Sequence, residues 1–225
     1  MQAAPAPPAR AFQSGGGGGG DTGRMRIYLA GPEVFLADAA DVAAAKKAVC
    51  TAHGVTGVFP TDDPAAAPMP GAPAWYRLYL ANEAHIRGCD ALIANLTPFR
   101  GPSADPGTVY EMGLMRGLGR PVLGYANVAA RFGSRTLAHL GPEARRRPDG
   151  AWEDAEGMAV EDFDLFDNLM LEGGIRASGG VLELQTVPPD ARWRDLAAFT
   201  RCVAAVARLL RDGGPAAGAP PGAPL

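Results

Sequence analysis

Four short apolar segments, separated by amphipathic ones, dominate the pattern of the first half of the chain. The segments are Arg26–Ala30, Val55–Phe59, Ala91–Leu96 and Pro121–Tyr125. A Gly or Pro closes the first two, which is typical of buried strands that end in turns. The third contains only one polar residue, Asn95, as expected of a strand at the centre of a parallel sheet.

Three helices are predicted between these strands. They cover Asp38–His53, Trp75–Arg87 and Thr108–Leu118, and Gly54 and Gly88 follow the first two, where a left-handed residue commonly ends a helix. Strands that alternate with helices over short joints predict an α/β fold. We expect a single domain with a doubly wound, flavodoxin- or Rossmann-like parallel sheet flanked by helices, built through right-handed crossovers.

The second half of the chain is less regular. The stretch Arg131–Asp162 mixes charge, Gly and Pro, and it predicts an irregular insertion with one short helix, to which the sequence assigns no role. Val181–Leu184 predicts a fifth strand. Trp193–Leu210 predicts a final helix, because its apolar residues recur at steps of three and four and form one stripe. The Pro- and Ala-rich stretch Thr61–Pro73 predicts a loop.

Both ends of the chain have a low-complexity composition. Residues 1–24 are rich in Ala, Pro and Gly, with an unbroken glycine run from Gly15 to Gly20, and residues 213–225 are similar. Such segments cannot bury enough apolar surface to offset their ordering, so we expect a disordered N-terminal segment and a flexible tail around a catalytic domain at 25–212. No segment has the length of a membrane span or the apolar region of a secretory signal, and we expect a cytoplasmic protein.

The overall composition points to a small-molecule ligand. The chain has 47% hydrophobic and 20% charged residues, as ordinary globular proteins do, and its net charge of −3 argues against nucleic acid as the main partner. Cys50, Cys89 and Cys202 lie far apart and match neither a disulfide framework nor a metal-binding pair. We expect buried thiols and no metal.

Candidate chemistry lies beyond the strands. In an open parallel sheet, ligands bind in the crevice outside the carboxyl ends of the strands, so the informative segments are 31–35, 61–63 and 97–111. The last of them combines an arginine, two carboxylates and two glycines around the start of a helix. These residues are Arg100, Gly101, Asp105, Gly107 and Glu111.

Structural interpretations of the same residues stay open. Glu111 follows Thr108 by three residues, the spacing of a capping box at the start of a helix. Asp105 fits a turn, and Asp90 fits the start of a strand. Tyr28 lies on a buried strand, where tyrosines are more often core residues than catalytic ones.

Five separated motifs resemble the nucleoside 2-deoxyribosyltransferase family. They occur in the family's order, with compatible spacing, over roughly residues 25–184. The resemblance implies an enzyme that moves a 2-deoxyribosyl group between nucleobases by cleaving the N-glycosidic bond of a 2′-deoxynucleoside, without a cofactor. The motifs are YLAGPEVF (28–35), FPTDD (59–63), CDALIANLTPFRG (89–101), ADPGTVYEMG (104–113) and EDFDLFDNLML (161–171).

The resemblance also implies residue roles. Glu111 would be the nucleophile that takes C1′ of the deoxyribose, because a carboxylate can stabilise and then capture an oxocarbenium-like sugar. Tyr28 would orient this glutamate, Asp90 and Asp105 would meet the nucleobase and assist its protonation, and Phe35 would stack on it. The other substrate-binding positions are Gly31, Pro32, Asp62, Arg100 and Gly107.

The family site is completed across a subunit boundary by an asparagine that reaches the sugar. Asn168 is the counterpart in this sequence, and its structural alternative is a helix cap or a turn. The resemblance therefore implies a homo-oligomer, a dimer or a multiple of dimers, with a shared active site.

Two other functions stay open. A deoxynucleoside 5′-monophosphate N-glycosidase would use the same glutamate and pass the sugar to water. The turn after the first strand disfavours a phosphate, because Pro32 lacks an N–H and Glu33 would repel an anion. A nucleoside-binding domain without activity is the other alternative, and the acidic set Glu111, Asp90 and Asp105 around an uncharged sugar argues against it.

Overall fold

The computed structural model describes residues 24–63, 69 and 71–211. The segments expected to be disordered or flexible, 1–24 apart from Arg24 and 213–225, lie outside the described residues. So do residues 64–68 and 70 of the predicted loop.

Strands and helices alternate along the described residues. The strands are β1 (Arg26–Ala30), β2 (Thr56–Val58), β3 (Ala91–Asn95), β4 (Val122–Ala126), β5 (Arg145–Arg146), β6 (Trp152–Glu153) and β7 (Leu182–Leu184). The helices are α1 (Ala39–Ala52), α2 (Ala74–Arg87), α3 (Pro106–Gly117), α4 (Phe132–Leu140), α5 (Leu169–Ala177) and α6 (Ala197–Arg211). Two short 3₁₀ helices cover Pro32–Phe35 and Gly141–Glu143.

Five of the strands form one parallel sheet in the order β2-β1-β3-β4-β7. The chain moves outward from β1 to β2 and then returns to place β3 on the other side of β1. The prediction of a doubly wound parallel sheet is therefore confirmed, including its fifth strand. The order reverses between β1 and β3, and a crevice for ligands forms at the carboxyl ends of the strands at such a point.

Two apolar cores lie on the two faces of the sheet. Side chains alternate along β1, so Ile27 and Leu29 join the core beneath α1 and α6, whereas Tyr28 and Ala30 join the core beneath α2, α3 and α5. Ile27 and Leu29 have no exposed surface, and full burial of each is worth roughly 1.5–3 kcal/mol. Tyr28 therefore points toward α3, which carries the candidate nucleophile.

The chain from β4 to α5 is more ordered than its pattern predicts. It contains α4 and a hairpin in which Arg145 pairs with Glu153. The sequence did not predict α5, whose two central glycines are poor helix formers. Burial of Leu171 and Ile175 against the sheet stabilises this helix despite its composition. The final helix begins later than predicted, because Asp195 accepts a hydrogen bond from the N–H of Ala197 (2.9 Å).

The three cysteines are free thiols in the protein interior, as predicted. Within the described part of the chain, every helix is too short or too polar to cross a membrane.

Candidate active site

A tyrosine–glutamate pair joins the sheet to α3. Tyr28 has no exposed surface, and its hydroxyl donates a hydrogen bond of 2.7 Å to Oε1 of the partly buried Glu111. Burial raises the pKa of Glu111 to about 7; the Tyr28 hydrogen bond opposes this shift and the charge of Asp105 adds to it. Burial and the neighbouring carboxylate also raise the pKa of Tyr28 far above its ordinary value, so the phenol remains a donor.

The start of α3 corrects the capping-box interpretation. The helix begins at Pro106 and its N-cap is Asp105, whose Oδ2 accepts hydrogen bonds from the N–H (2.9 Å) and the hydroxyl (3.1 Å) of Thr108. Glu111 lies in the second turn, too far along the helix to satisfy the free N–H groups at its start. Asp105 thus has the structural role, and its Oδ1 has no partner among the described residues.

Glu111 lines a groove of about 320 Å³ between α2 and α3. Its outer rim is aromatic, and the hydroxyls of Tyr79 and Tyr110 lie 3.3 Å apart across it. Sequence reasoning missed the α2 side of this groove, although side chains at steps of three and four along that helix signal one face. The residues that line the groove are Trp75, Leu78, Tyr79, Asn82, Glu83, Ile86, Gly107, Tyr110, Glu111 and Leu114.

A larger groove, of about 870 Å³, lies on the other side of α3 against α5. Its lining is mostly apolar, and its one ionisable side chain among the described residues is Arg116. Size alone therefore does not identify the candidate site, because among the described residues of these two grooves the candidate nucleophile Glu111 lines the smaller one. Helix α3 separates the two: Val109 and Met112 face α5, whereas Tyr110 and Glu111 face α2.

An aromatic cluster occupies the carboxyl edge of the sheet. Phe35 is 59% exposed, and its ring stacks on that of Phe99 with centroids 5.4 Å apart. The exposed Arg100 has a positive φ of 55° and places its guanidinium over both rings, 5.1 Å and 4.6 Å from their centroids. Phe35 and Arg100 are thus brought together as a cation–π group. The loop that carries Arg100 continues to Asp105.

The turn after β1 corrects the argument against an anionic ligand. Glu33 is only 1% exposed and forms an ion pair with the fully buried Lys46. The same carboxylate oxygen accepts hydrogen bonds from Asn95 (2.9 Å) and Tyr125 (2.9 Å). Burial tends to raise the pKa of Glu33, but the charge and hydrogen bond of Lys46, together with the hydrogen bond from Asn95, outweigh burial and lower the pKa. Glu33 therefore does not face the crevice, and its charge is neutralised inside the protein.

The same turn explains why glycine occupies position 31. Gly31 and Pro32 are buried, and a Cβ atom at Gly31 would lie 2.0 Å from Oε2 of Glu33 and 3.0 Å from Cβ of Asn95. Because its other oxygen is fixed by three partners, the Glu33 carboxylate has little freedom to move away.

We therefore expect Gly31→Ala to lower the free energy of unfolding by roughly 1–3 kcal/mol, as overpacked cores do. The measurement is the midpoint of urea unfolding. Gly113→Ala is the matched control, because a Cβ at that helical position would meet no atom within 4 Å apart from the neighbouring backbone of its own helix. Equal midpoints for Gly31→Ala and the wild type would contradict this account of the turn.

Two predicted site carboxylates have structural partners instead. Both oxygens of Asp62 are engaged: Oδ1 pairs with Lys47 and Oδ2 accepts from the N–H of Phe59 (3.0 Å). Asp90 precedes β3 at the amino end of the sheet, where it exchanges hydrogen bonds of 2.8 Å and 2.7 Å with the backbone of Arg26. The prediction that places Asp90 beside Asp105 is therefore corrected. It has the start-of-strand role, because the residue before a parallel strand lies at the edge opposite the ligand crevice.

Asn168 occupies the start of α5, across α3 from the Glu111 groove. It is the N-cap of that helix, with Oδ1 accepting from the N–H of Met170 (3.0 Å) and Nδ2 donating to Glu161 (2.6 Å). The helix-cap interpretation is thus realised within the chain. Among the predicted site residues, the structure groups Tyr28, Asp105, Gly107 and Glu111 around α3.

No three His, Cys, Asp or Glu side chains among residues 24–63, 69 and 71–211 are grouped closely enough to hold a metal ion.

Comparisons with known proteins identify a family. The sequence profile named nucleoside 2-deoxyribosyltransferase matches residues 27–170. A protein of Schizosaccharomyces pombe (strain 972), described as uncharacterized, is 32% identical over 165 residues, covering 68% of this chain and 78% of the relative.

Similar solved structures include two deoxyribosyltransferases, both with TM-scores below 0.5. The 2-desoxiribosyltransferase of Leishmania mexicana has 30% identity and a TM-score of 0.48, over 65% of this chain and 85% of that one. The 2-deoxyribosyltransferase of Bacillus psychrosaccharolyticus has 21% identity and a TM-score of 0.38, over 51% and 82%. On the strength of the profile and the yeast relative, this chain belongs to the nucleoside 2-deoxyribosyltransferase family.

Proposed function

We propose that this chain transfers a 2-deoxyribosyl group from a 2′-deoxynucleoside to a second nucleobase. The observation that carries the proposal is the 2.7 Å hydrogen bond from Tyr28 to Glu111 at the wall of a groove. The bond fixes one carboxylate oxygen and leaves the other free to meet a sugar. A pKa of about 7 keeps a substantial ionised fraction at neutral pH. A partly desolvated carboxylate is a better nucleophile than a solvated one.

The reaction has two displacements at C1′. In the first, Glu111 forms an ester bond to C1′ while the C1′–N bond breaks; the electron pair goes to the departing base, which takes up a proton from solvent by way of Oδ1 of Asp105. In the second, a ring nitrogen of the acceptor base attacks C1′, the carboxylate leaves, and the proton of that nitrogen returns to solvent by the same route. The carboxylate is suited to both, because it stabilises the oxocarbenium-like charge at each transition state.

Asp105 is the acidic group that assists base departure in this proposal. Its capping bonds use Oδ2 alone, so Oδ1 is available to the ligand. Asp105 also lines the pocket formed by the loop that carries Arg100, next to the stacked Phe35. A nucleobase that lies between this loop and Glu111 would meet both an acid and an aromatic surface. Asp62 and Asp90 have no part in this proposal.

The charge of the groove favours an uncharged nucleoside. Among the described residues that line it, the ionisable side chains that can carry charge at neutral pH are Glu83, which is paired with Arg87, and Glu111, so the lining offers no cation to a 5′-phosphate. Glu33, which is paired with Lys46, does not contribute to this effect, and Pro32 lacks an N–H for an anion. The proposed substrates are therefore 2′-deoxynucleosides and free nucleobases.

We further propose a dimer, or a multiple of dimers, in which Asn168 serves the neighbouring site. Asn168 caps α5, whose next residues line the groove on the far side of α3, and Asn168 does not line the groove that contains its own Glu111. The next two residues, Leu169 and Met170, are 41% and 72% exposed. Adjacent exposed apolar side chains are typical of a surface that a partner covers.

The test is incubation of the protein with adenine and either thymidine or thymidine 5′-monophosphate, followed by chromatography of each mixture. New deoxyadenosine supports the transferase. Free thymine without a new nucleoside supports a hydrolase, and release of thymine from thymidine 5′-monophosphate supports the nucleotide N-glycosidase. No change in any mixture contradicts the enzymatic proposal. Protein carrying Glu111→Gln is the control for contaminating activity.

A further inference from the structure

Asp167 takes no part in the proposed chemistry, yet it is fully buried. Its Oδ1 accepts hydrogen bonds from the hydroxyl of Ser103 (2.5 Å) and the N–H of Asn168 (2.8 Å). Its Oδ2 accepts from the N–H of Ala104 (3.2 Å) and from Nη2 of Arg135 (3.1 Å). One carboxylate therefore joins the loop after β3, helix α4 and the start of α5.

Arg135 holds the same loop by a second route. It lies on α4, in the segment to which the sequence assigned no role, and its side chain is only 9% exposed. Its Nε donates to the carbonyl of Pro102 (2.7 Å), and Nη1 donates to the carbonyl of Ala130. The guanidinium lies 4.5 Å from the centroid of the Phe166 ring. All three nitrogens of the planar guanidinium donate hydrogen bonds, which fixes its orientation. A lysine ammonium could not reproduce this arrangement.

Stability alone does not account for this ion pair. Removing two charges from water is costly, and apolar residues of similar volume often stabilise a core equally well. Burial raises the pKa of Asp167 despite its four hydrogen bonds, and burial lowers the pKa of Arg135. Both directions mean that desolvation outweighs mutual attraction. The pair instead holds the loop in one position through hydrogen bonds to Pro102, Ser103 and Ala104.

The loop that this pair holds leads directly into the candidate site. Ala104 is followed by Asp105, which caps α3, and Glu111 lies in the second turn of that helix. The charge of Asp105 is one of the causes that raise the pKa of Glu111. Asp105 is also tied to α3 by its bonds to Thr108, so a displaced loop would act by pulling this cap away from the helix. Loss of the cap would move the charge of Asp105 and change the environment of the candidate nucleophile without touching it.

The geometry points to Arg135 and Asp167 as positioning residues that hold Asp105 at a fixed distance from Glu111. The inference rests on the proposed roles of those two carboxylates. The segment between β4 and α5 thereby acts in the reaction by positioning the loop before α3, without contacting the ligand.

The test is the titration of Glu111, followed by NMR of ¹³C-labelled glutamate carboxyls and assigned with Glu111→Gln. The wild type is expected to titrate at about 7. In Asp167→Asn, an amide NH₂ replaces one of the two carboxylate oxygens that accept hydrogen bonds from the loop, Asn168 and Arg135. Two donors then face each other, so we expect the loop to be released. As Asp105 moves away, the midpoint should fall by about half a unit or more. The other ionisable groups that face Glu111, Tyr28 on β1 and Glu83 on α2, keep their places.

A second variant and a control make the result independent of general loosening. Arg135→Lys keeps the charge but loses the fork, so its midpoint should fall in the same direction by a smaller amount. It also carries the test if Asp167→Asn does not fold. Val203→Ala removes buried volume on α6, on the opposite face of the sheet, and should leave the midpoint unchanged. In transfer assays we expect kcat of Asp167→Asn to fall by roughly 10-fold or more, with KM within about twofold.

The outcomes separate the positioning role from the proposed transferase function. An unchanged midpoint in both variants overturns the positioning role. An equal fall in Val203→Ala overturns it as well, because the effect would then be a general loss of stability. If the wild type and the variants titrate as expected and the wild type shows no transfer, the proposed function fails while the positioning of Asp105 is supported.

Discussion

Glu111→Gln should abolish turnover and, above pH 7, make the fold more stable than the wild type. An amide cannot form the glycosyl ester, so we expect kcat to fall by roughly 10⁴-fold or more. Glutamine still accepts the hydrogen bond from Tyr28, which preserves the local geometry.

The stability gain follows from the raised pKa. The folded protein holds the Glu111 proton up to about pH 7, whereas an unfolded glutamate releases it near 4.5. Between these values the folded state binds more protons than the unfolded state, so the stability of the wild type falls as pH rises. Above pH 7 the neutral glutamine removes this cost, a gain of about 1–3 kcal/mol given that the side chain is partly exposed. Below pH 4.5 the two proteins should converge.

Unfolding by urea at pH 4.5 and at pH 8, with transfer assays on the same samples, measures both effects. Asp38→Asn, at an exposed ion pair with Arg194, is a control for simple charge removal and should retain activity. A Glu111→Gln protein that is less stable than the wild type at pH 8 would indicate a structural role for the glutamate. Residual transfer near the wild-type rate would exclude it as the nucleophile.

Two inactive variants should recover activity when their subunits are mixed. One carries Glu111→Gln, and the other carries Asn168→Ser, which retains an N-cap hydroxyl for α5 but is too short to reach a partner. In a closed dimer each site would take Glu111 from one chain and Asn168 from the other. Random exchange makes half of the dimers mixed, each with one intact site of two, so activity should approach about a quarter of the wild type.

Native mass spectrometry establishes that exchange has occurred, and each variant incubated alone is the control. A mixed population without activity would contradict the shared site. So would a monomeric wild type with normal turnover, because it would show that each chain completes its own groove.

The sheet was predictable because its strands have simple hydrophobic patterns. The elements that the sequence did not predict were missed for physical reasons. In the segments from β1 to β4, the apolar residues are spaced as expected either for a buried strand or for a helix with one buried face. By contrast, α5 contains Gly173 and Gly174, and packing against α3 overrides its weak propensity. The two-residue strands β5 and β6 are too short to show any period.

The site was predictable in part. The motif that contains Glu111 and the buried strand that contains Tyr28 were both identified, and the structure joins them. Asp90 was misplaced because proximity to a strand in sequence does not distinguish its two ends. The groove residues on α2, such as Asn82, gave only the ordinary pattern of a half-exposed helix. Asp167 is a single acidic residue in an irregular stretch, and only the fold reveals that it is buried.

The two-sided character of α3 has a consequence for protein engineering. Its successive turns present Tyr110, Glu111 and Leu114 to one groove and Val109, Met112 and Arg116 to the other. With the ligand site and the dimer contact as proposed above, libraries aimed at ligand preference and libraries aimed at self-association would draw on separate, interleaved positions of a single twelve-residue helix. Gains selected on one side can then be combined with gains selected on the other, since the two sets of side chains share a backbone but no cavity.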